Sequence, residues 1–427
     1  MGGLSVRAAA AGLGVAVLLS GCRGNQGYEG PYAAEVNAAI PRIERAMGVP
    51  FLQPPQLELR NHSQVREFLE QRFAEDLPDE ELAGVEAAYK RFGLVPDSLD
   101  LKALYLTLLV EQIVGFYDPK TKVLYLVEEA PASQRGVIIT HELIHALQDQ
   151  YVNLDSIQGI ERQNDKSLAA QAVIEGQAMF LQLEAAAGGA GLAARLPGGW
   201  ERVRQGIRDN QALMPQFSRA PLIVQETLIF PYLSGAEFVR RRDFSNGTDA
   251  FAALPMSTEQ VMHHDAYGDS TDAPTRVVFA PRGGNVDVIH ENGLGEFEIR
   301  VLLFDHLEDQ NAAVRGAAGW DGDRYQLVRS GSSNALLWAT VWDTESDADE
   351  FAQLISRAFS RRYGDSAPPA DRRSFVLQGR RVVVERAELD GRPMVFVEDR
   401  PESVSTRMLA PAMVSLEAIP ATANMVR

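Results

Sequence analysis

Cysteine is all but missing: Cys22 is the only one in 427 residues. The chain can therefore close no internal disulfide and build no thiolate metal site, so any metal must be held by histidine and carboxylate. Histidine is scarce as well, with seven in the whole chain, which gives weight to any two that fall close together. Lys and Arg number 41 against 58 Asp and Glu, for a net charge of -17. That balance, with no basic cluster, excludes nucleic acid and other polyanions as expected partners. After the N-terminus no apolar run reaches the roughly 18 residues of a membrane span. Internal repeats and long like-charge blocks are also lacking.

A hydrophobic content of 45% is ordinary for a globular protein, and the length suits two packed domains or one large one. Residues 1–21 read as a secretory signal: Arg7, a short apolar run, then small residues. "LSGC", ending at Cys22, resembles a bacterial lipobox, which implies cleavage before Cys22 and a lipid on its thiol. An ordinary signal with an incidental cysteine is the competing reading. Residues 22–31 are Gly-rich and polar and read as a tether. These features place the protein on the outer side of a bacterial membrane, in the cell envelope, anchored by its N-terminal lipid.

The chemistry concentrates in "PASQRGVIITHELIHALQDQY", residues 131–151. Ser133 is a candidate helix cap, and Val137, Ile138, His141, Ile144, His145 and Gln148 recur at three- and four-residue steps. His141 and His145 then stand one turn apart on one face, and Glu142 projects from the adjoining flank. That is the geometry of an H-E-x-x-H zinc site, in which two imidazoles bind the metal and the glutamate takes a proton from the activated water. Two satisfied core histidines would be the alternative. Gln148, Asp149, Gln150 and Tyr151 follow in place of the Gly and His of a metzincin, so the third ligand must come from elsewhere.

"SLAAQAVIEGQAMFLQLEAA" offers Glu175. With Ser167 as cap, this reads as a helix on which Leu168, Ala172, Ala178 and Met179 surround Glu175 at helical spacing. A carboxylate on an apolar stripe costs several kcal/mol (of order 2–7 for a neutral group alone) unless it is paired or metal-bound. A buried ion pair with Lys or Arg is the other way to satisfy it. Gly176 would let a neighbouring element come close. Asp149, two turns on from His141, is a candidate partner for the second nitrogen of a ligand histidine.

With "HELIH" and "IEGQA" in place, the chain resembles the gluzincin group of zinc metallopeptidases. It is similar more closely to a set of uncharacterised bacterial exported proteins, through "GFYDPKTKVLYLV", "HELIHALQDQ", "EGQA", "FPYLSGAEFV" and "STEQVMH". The resemblance implies an α+β fold with a zincin-like, largely helical core and a small sheet lining the cleft. It also implies one zinc per chain and hydrolysis of a peptide or protein substrate. Met179 stands where gluzincins often carry Asp or Ala, which puts the usual support of the ligand set in doubt. An oxyanion donor is needed too, and the candidates are Tyr232, His263 and Tyr117. Tyr232 could equally be core, and a capped turn would equally explain His263. His264 departs from the proline expected after it. His62, His290 and His306 read as structural or exposed.

"GFYDPKTKVLYLVEE" reads as a hairpin turning at Asp118–Pro119–Lys120–Thr121. Placing it beside the cleft, where an extended substrate could add as a strand, is analogy with zincins. Residues 32–100 look helical with a break at Pro78 and are expected to pack over the core. The peptidase-type domain spans 32–276. Residues 277–427 read as a ββαββ module with no chemistry of its own, in which "WDGDRY" is a tight turn rather than a calcium loop. The leading reading is a lipid-anchored zinc metallopeptidase. Its rivals are an inactive zincin-fold lipoprotein that binds an envelope protein or polymer, and a zinc hydrolase acting on a non-peptide bond.

Overall fold

The computed structural model describes residues 27–419, apart from 77, 159–162, 188–198, 213, 243, 245–246, 264, 269–271, 283–285, 331–332 and 366–372. Cys22 and the signal lie outside the described residues. No helix among the described residues is long and apolar enough to cross a membrane.

The N-terminal part is helical, as expected, with one strand the sequence reading did not foresee. Helix α1 (Ala33–Met47) is followed by β1 (Gln56–Arg60), α2 (His62–Asp76), α3 (Asp79–Phe92) and α4 (Leu101–Gln112). Pro78 separates α2 from α3 as its missing N–H and ring demand. The expected hairpin follows as β2 (Gly115–Asp118) and β3 (Val123–Val127). Its turn is built by Asp118, which accepts hydrogen bonds from Lys120 N–H at 3.2 Å and the Thr121 hydroxyl at 2.7 Å. Lys122 adopts a left-handed φ of 61° to close it. β1 runs parallel to β3, giving the order β1-β3-β2 and leaving β2 at an edge.

Next come α5 (Arg135–Tyr151), the short α6 (Leu154–Gln158) and the long α7 (Asn164–Ala187). Both proposed caps fail: α5 begins after Gln134 with no side-chain cap, and Ser167 lies inside α7. The stripe on α5 is also corrected. Val137 is exposed, whereas nearly every side chain from Ile138 to Asp149 is buried, because α5 is enclosed by α1, the small sheet and α7. Val36, Ile43, Met47, Leu124, Leu126, Ile139, Leu143, Leu147 and Leu181 form the core between them.

After α7 run α8 (Gly199–Ala212), α9 (Leu222–Phe230), a π-helical turn (Pro231–Gly235), α10 (Ala236–Arg242), α11 (Asp249–Ala252) and α12 (Thr258–Met262). The C-terminal part then holds β4 (Thr275–Phe279), β5 (Val288–Asn292), α13 (Gly295–Leu307), α14 (Gln310–Ala317), β6 (Trp320–Ser330), β7 (Ser333–Trp342) and α15 (Glu345–Arg362). It ends with β8 (Ser374–Leu377), β9 (Arg380–Leu389), β10 (Arg392–Pro401) and β11 (Val414–Ala418). The expected ββαββ unit is present as β6-β7-α15-β9-β10, but it is widened by β5 and β8 into a six-stranded antiparallel sheet, order β5-β6-β7-β10-β9-β8.

β7 shows why its sequence is almost wholly apolar. Ala335, Leu337, Ala339 and Val341 face the β4–β11 pair, while Leu336, Trp338 and Trp342 face the helices, so both faces are covered. "WDGDRY" is strand rather than turn, with a register shift between Trp320 and Gly322. The fold is thus mixed α and β. No gap in the core marks residue 276: Phe92 of α3 packs edge-on against Tyr325 and Trp338 at 5.2 and 5.1 Å, in a cluster running from Leu82 to Val397. So α1 packs on α5 and α7 as expected, whereas α3 docks on the C-terminal sheet.

Candidate metal centre

The structure brings His141, His145 and Glu175 together. His141 Nε2 and His145 Nε2 are 3.2 Å apart, and Glu175 Oε2 lies 3.4 Å from each. His145 is buried, and His141 and Glu175 are half-buried at the cavity wall. α5 supplies the histidines because residues four apart stack on one face. α7 supplies Glu175 because two glycines allow a very close approach. A methyl group on Gly176 would meet the Gly235 carbonyl carbon at 2.2 Å, and one on Gly235 would meet the Ala172 carbonyl oxygen at 2.0 Å. The neighbour expected from Gly176 is therefore the π-helical turn that carries Tyr232.

The imidazole tautomers follow from a hydrogen-bond chain. Gln177 Nε2 donates to the carbonyls of Phe244 at 2.9 Å and Gly247 at 3.2 Å, so its Oε1 is turned to accept from Gln148 Nε2 at 3.0 Å. Gln148 Nε2 also donates to Ile174 O, which leaves Gln148 Oε1 for His145 Nδ1 at 2.9 Å. An amide oxygen only accepts, so Nδ1 carries the proton and Nε2 presents its lone pair. Gln182 Oε1, 3.0 Å from His141 Nδ1, does the same for the other imidazole.

These donors fit a tetrahedral cation. Ligand atoms about 2.05 Å from a zinc ion at tetrahedral angles are about 3.3 Å from one another, which is how the three atoms stand here. Glu175 Oε2 is buried and accepts no hydrogen bond, an orphan that a cation would satisfy. Without one, the imidazoles hold the Glu175 carboxyl well below the usual carboxylate range despite its burial. Burial opposes charge on His145, but Glu175 and Glu142 outweigh it and lift it to about 9. Either way the site attracts positive charge. The donor set, two imidazoles and a carboxylate, faces the cavity and leaves a side open.

Glu142 is buried beside the histidines. Burial raises its carboxyl, against the pull of His141 and His145. A cavity of about 240 Å³ opens here, lined by the ligands, Glu142, Tyr232, the edge strand β2 and apolar groups that include Leu109, Ile113 and Ile174. A second hollow of about 190 Å³ shares Ile174, Glu175 and Tyr232.

The three donor candidates separate. Tyr232 stands in the site, its ring 6.2 Å from that of His141, and it lines the cavity beside Glu175. The negative charge of Glu175, burial and the charge of Glu142 raise the phenol well above its ordinary range. The Tyr117 hydroxyl is committed to Asp149 Oδ2 at 2.6 Å. His263 lies outside the cavity, at the end of α12, with Nε2 2.8 Å from Glu296 Oε1; the expectation that it serves the site is corrected. Asp149 is also reassigned. It supports no ligand histidine but takes Tyr117, Lys122 Nζ at 2.6 Å and Leu154 N–H at 3.1 Å, tying the hairpin to α5. The role looked for at Met179 is filled by Gln182, and the role looked for at Asp149 by Gln148.

Those two glutamines give a first prediction. Gln182→Leu removes only the acceptor beneath His141 and should weaken zinc binding about 10- to 100-fold, read by chelator competition, with the helical circular dichroism unchanged. Equal affinity would mean that Gln182 does not orient His141.

His62, His290 and His306 are structural or exposed, as expected. His290 is buried beside Gly84 with Glu81 at 3.6 Å, and His306 bonds the Phe92 carbonyl at 3.0 Å. The "WDGDRY" aspartates are spoken for as well: Asp323 accepts from Leu294, Gly295, Trp320 and Trp338, and Asp321 from Thr275 and Arg392.

Among known proteins, the chain is similar over residues 285–407 to a domain of unknown function, DUF8575. That match covers the C-terminal sheet and leaves every residue of the metal centre outside it. No curated protein and no solved structure matches the chain.

Proposed function

We propose that this protein is a zinc-dependent peptidase of the gluzincin type, with His141, His145 and Glu175 as its metal ligands. The reading rests on one observation above all: three lone pairs from two helices converge at tetrahedral spacing, with a buried carboxylate beside them. Zinc at this position would supply Lewis acidity, lowering the pKa of water and polarising a carbonyl. Glu142 takes the proton of the attacking water and passes it to the leaving amine. Its burial suits that task, since a base with a raised pKa is a stronger one. Tyr232 donates to the oxygen that gains charge as the carbonyl is attacked.

A peptide substrate is favoured over a small molecule by the edge strand. Among the described residues β2 pairs only with β3, and its residues Gly115, Phe116 and Tyr117 line the cavity, so an extended chain can align along the sheet edge. The lipid at Cys22 would hold the enzyme on the outer face of a bacterial envelope membrane.

Zinc per chain, measured for wild type and Glu175→Ala side by side, tests the ligand set. One zinc in wild type and a large loss in the variant is the expected result. No zinc in wild type at neutral pH with zinc supplied would overturn the reading, and equal zinc in both would remove Glu175 from it.

A further inference from the structure

A second cluster of metal-ligating groups shares no residue with the metal centre. Glu259, Asp272 and Asp343 each offer a carboxylate oxygen, and these atoms all stand within 4.8 Å of one another. They come from three separate pieces of chain: Glu259 from α12, Asp272 from the segment before β4, and Asp343 from the corner between β7 and α15. Each backbone is held. Gln260 Nε2 donates to the Asp272 carbonyl at 2.6 Å, Asp343 N–H donates to Gly319 O at 2.8 Å, and Ser257 caps α12.

Acidic groups often gather on a surface without meaning. What sets this group apart is Glu259, which is 5% exposed and holds its carboxylate against the other two, with no hydrogen-bond or ion-pair partner among the described residues. A carboxylate enclosed this closely, with two others against it and no donor, is held at a cost that a cation would relieve. Arg392, whose charge acts on Asp343, places its hydrogen bond on Asp321, 2.9 Å away. Burial, Glu296, Asp272 and Asp343 together push Glu259 up to about 10, and burial with Asp272 and Asp321 lifts Asp343 to about 6.

We propose that Glu259, Asp272 and Asp343 bind a calcium ion that clamps α12 and the approach to β4 onto the C-terminal sheet. Three hard oxygen donors, with neither histidine nor cysteine, select a hard cation over zinc. Ca²⁺ binds oxygens at about 2.3–2.6 Å, so its ligands stand up to about 4.6–5.2 Å apart, whereas Mg²⁺ spans only about 4.2 Å. The 4.8 Å upper limit on these separations falls within the span of two opposed ligands on Ca²⁺ and beyond that on Mg²⁺. Asp272 and Asp343 are exposed, leaving one side open for waters to complete the shell. The site is independent of the proposed peptidase chemistry. It joins the part of the chain that carries the metal centre to the part similar to the domain of unknown function.

The test uses the full chain in calcium-free buffer with zinc resupplied, titrated with CaCl₂ by calorimetry and followed by its melting temperature. One Ca²⁺ per chain is expected, with Kd on the order of 10⁻⁴–10⁻³ M and a melting temperature raised by a few degrees. Asp343→Asn, an exposed change that should fold, is expected to weaken binding at least about tenfold. Glu259→Gln should abolish it and leave the calcium-free protein more stable than calcium-free wild type, since the crowded carboxylate is gone. His145→Ala should keep the calcium response intact. Absence of binding in wild type up to about 10 mM calcium, an unchanged response in Glu259→Gln, or loss of the response in His145→Ala would each overturn the proposal.

Discussion

Glu142→Gln should lower peptide hydrolysis by roughly 10²–10⁴-fold while leaving one zinc per chain. The replacement is isosteric, so the buried space beside the histidines is filled as before. What it removes is the ability to take a proton. His141, His145 and Glu175 are untouched, so metal content separates loss of the base from loss of the site. The measurement is turnover of a mixed peptide library, together with zinc content, for both proteins. Equal turnover would show that Glu142 is not the base. Zinc bound in both with no cleavage in either would favour the rival in which the fold binds an envelope partner without cutting it. In that rival nothing requires a buried acid beside the histidines, and replacing it with an amide of the same shape should be neutral or stabilising.

How much of this was legible in the sequence depended on distance along the chain. His141, Glu142 and His145 are local: helix geometry alone stacks the first and third and sets the second to the side. Glu175 was legible because a lone acid on an alanine-rich stripe demands a partner. Gln182 lies seven residues beyond it on the same face, and could have been found by following that stripe one turn past Met179. Gln148 was seen on the histidine face, but its use depends on Gln177, whose amide is oriented by the carbonyls of Phe244 and Gly247. No spacing rule reaches that far.

Asp149 went to the wrong partner for a related reason. Periodicity puts it near His141, but only the docking of the hairpin brings Tyr117 and Lys122 to its carboxylate. His263 sits at a helix end whose orientation is set by α13, which arrives 33 residues later and offers Glu296. The β1 strand escaped notice because five residues between helices pair in parallel with β3, more than 60 positions on. The C-terminal strands, by contrast, carry their own signal. Long apolar runs such as that of β7 are dictated by burial on both faces, and only the number of partner strands was missed.

The largest effect on stability is expected at the crossing of α7 with the π-helical turn. Gly176→Ala should destabilise the fold by at least about 3 kcal/mol, and Gly235→Ala by as much or more. At both positions the added methyl meets backbone, at 2.2 Å from the Gly235 carbonyl carbon and 2.0 Å from the Ala172 carbonyl oxygen. Backbone cannot rotate out of the way as a side chain does, so the two elements must part. The same crossing holds the site together: Glu175 immediately precedes Gly176, and Tyr232 lies three residues before Gly235. Separation should therefore move a ligand and the proposed donor at once, weakening zinc binding even in molecules that remain folded. Gly136 is the control, a helical glycine of α5 with nothing within 4 Å of the added methyl. There the same substitution should be neutral or stabilise by about 0.5–1 kcal/mol, because alanine is the better helix former. Denaturant unfolding of the three variants, with zinc titrated into each, decides the matter. If Gly176→Ala matched Gly136→Ala in both stability and zinc affinity, the close crossing would not be what sets Glu175 against the two histidines.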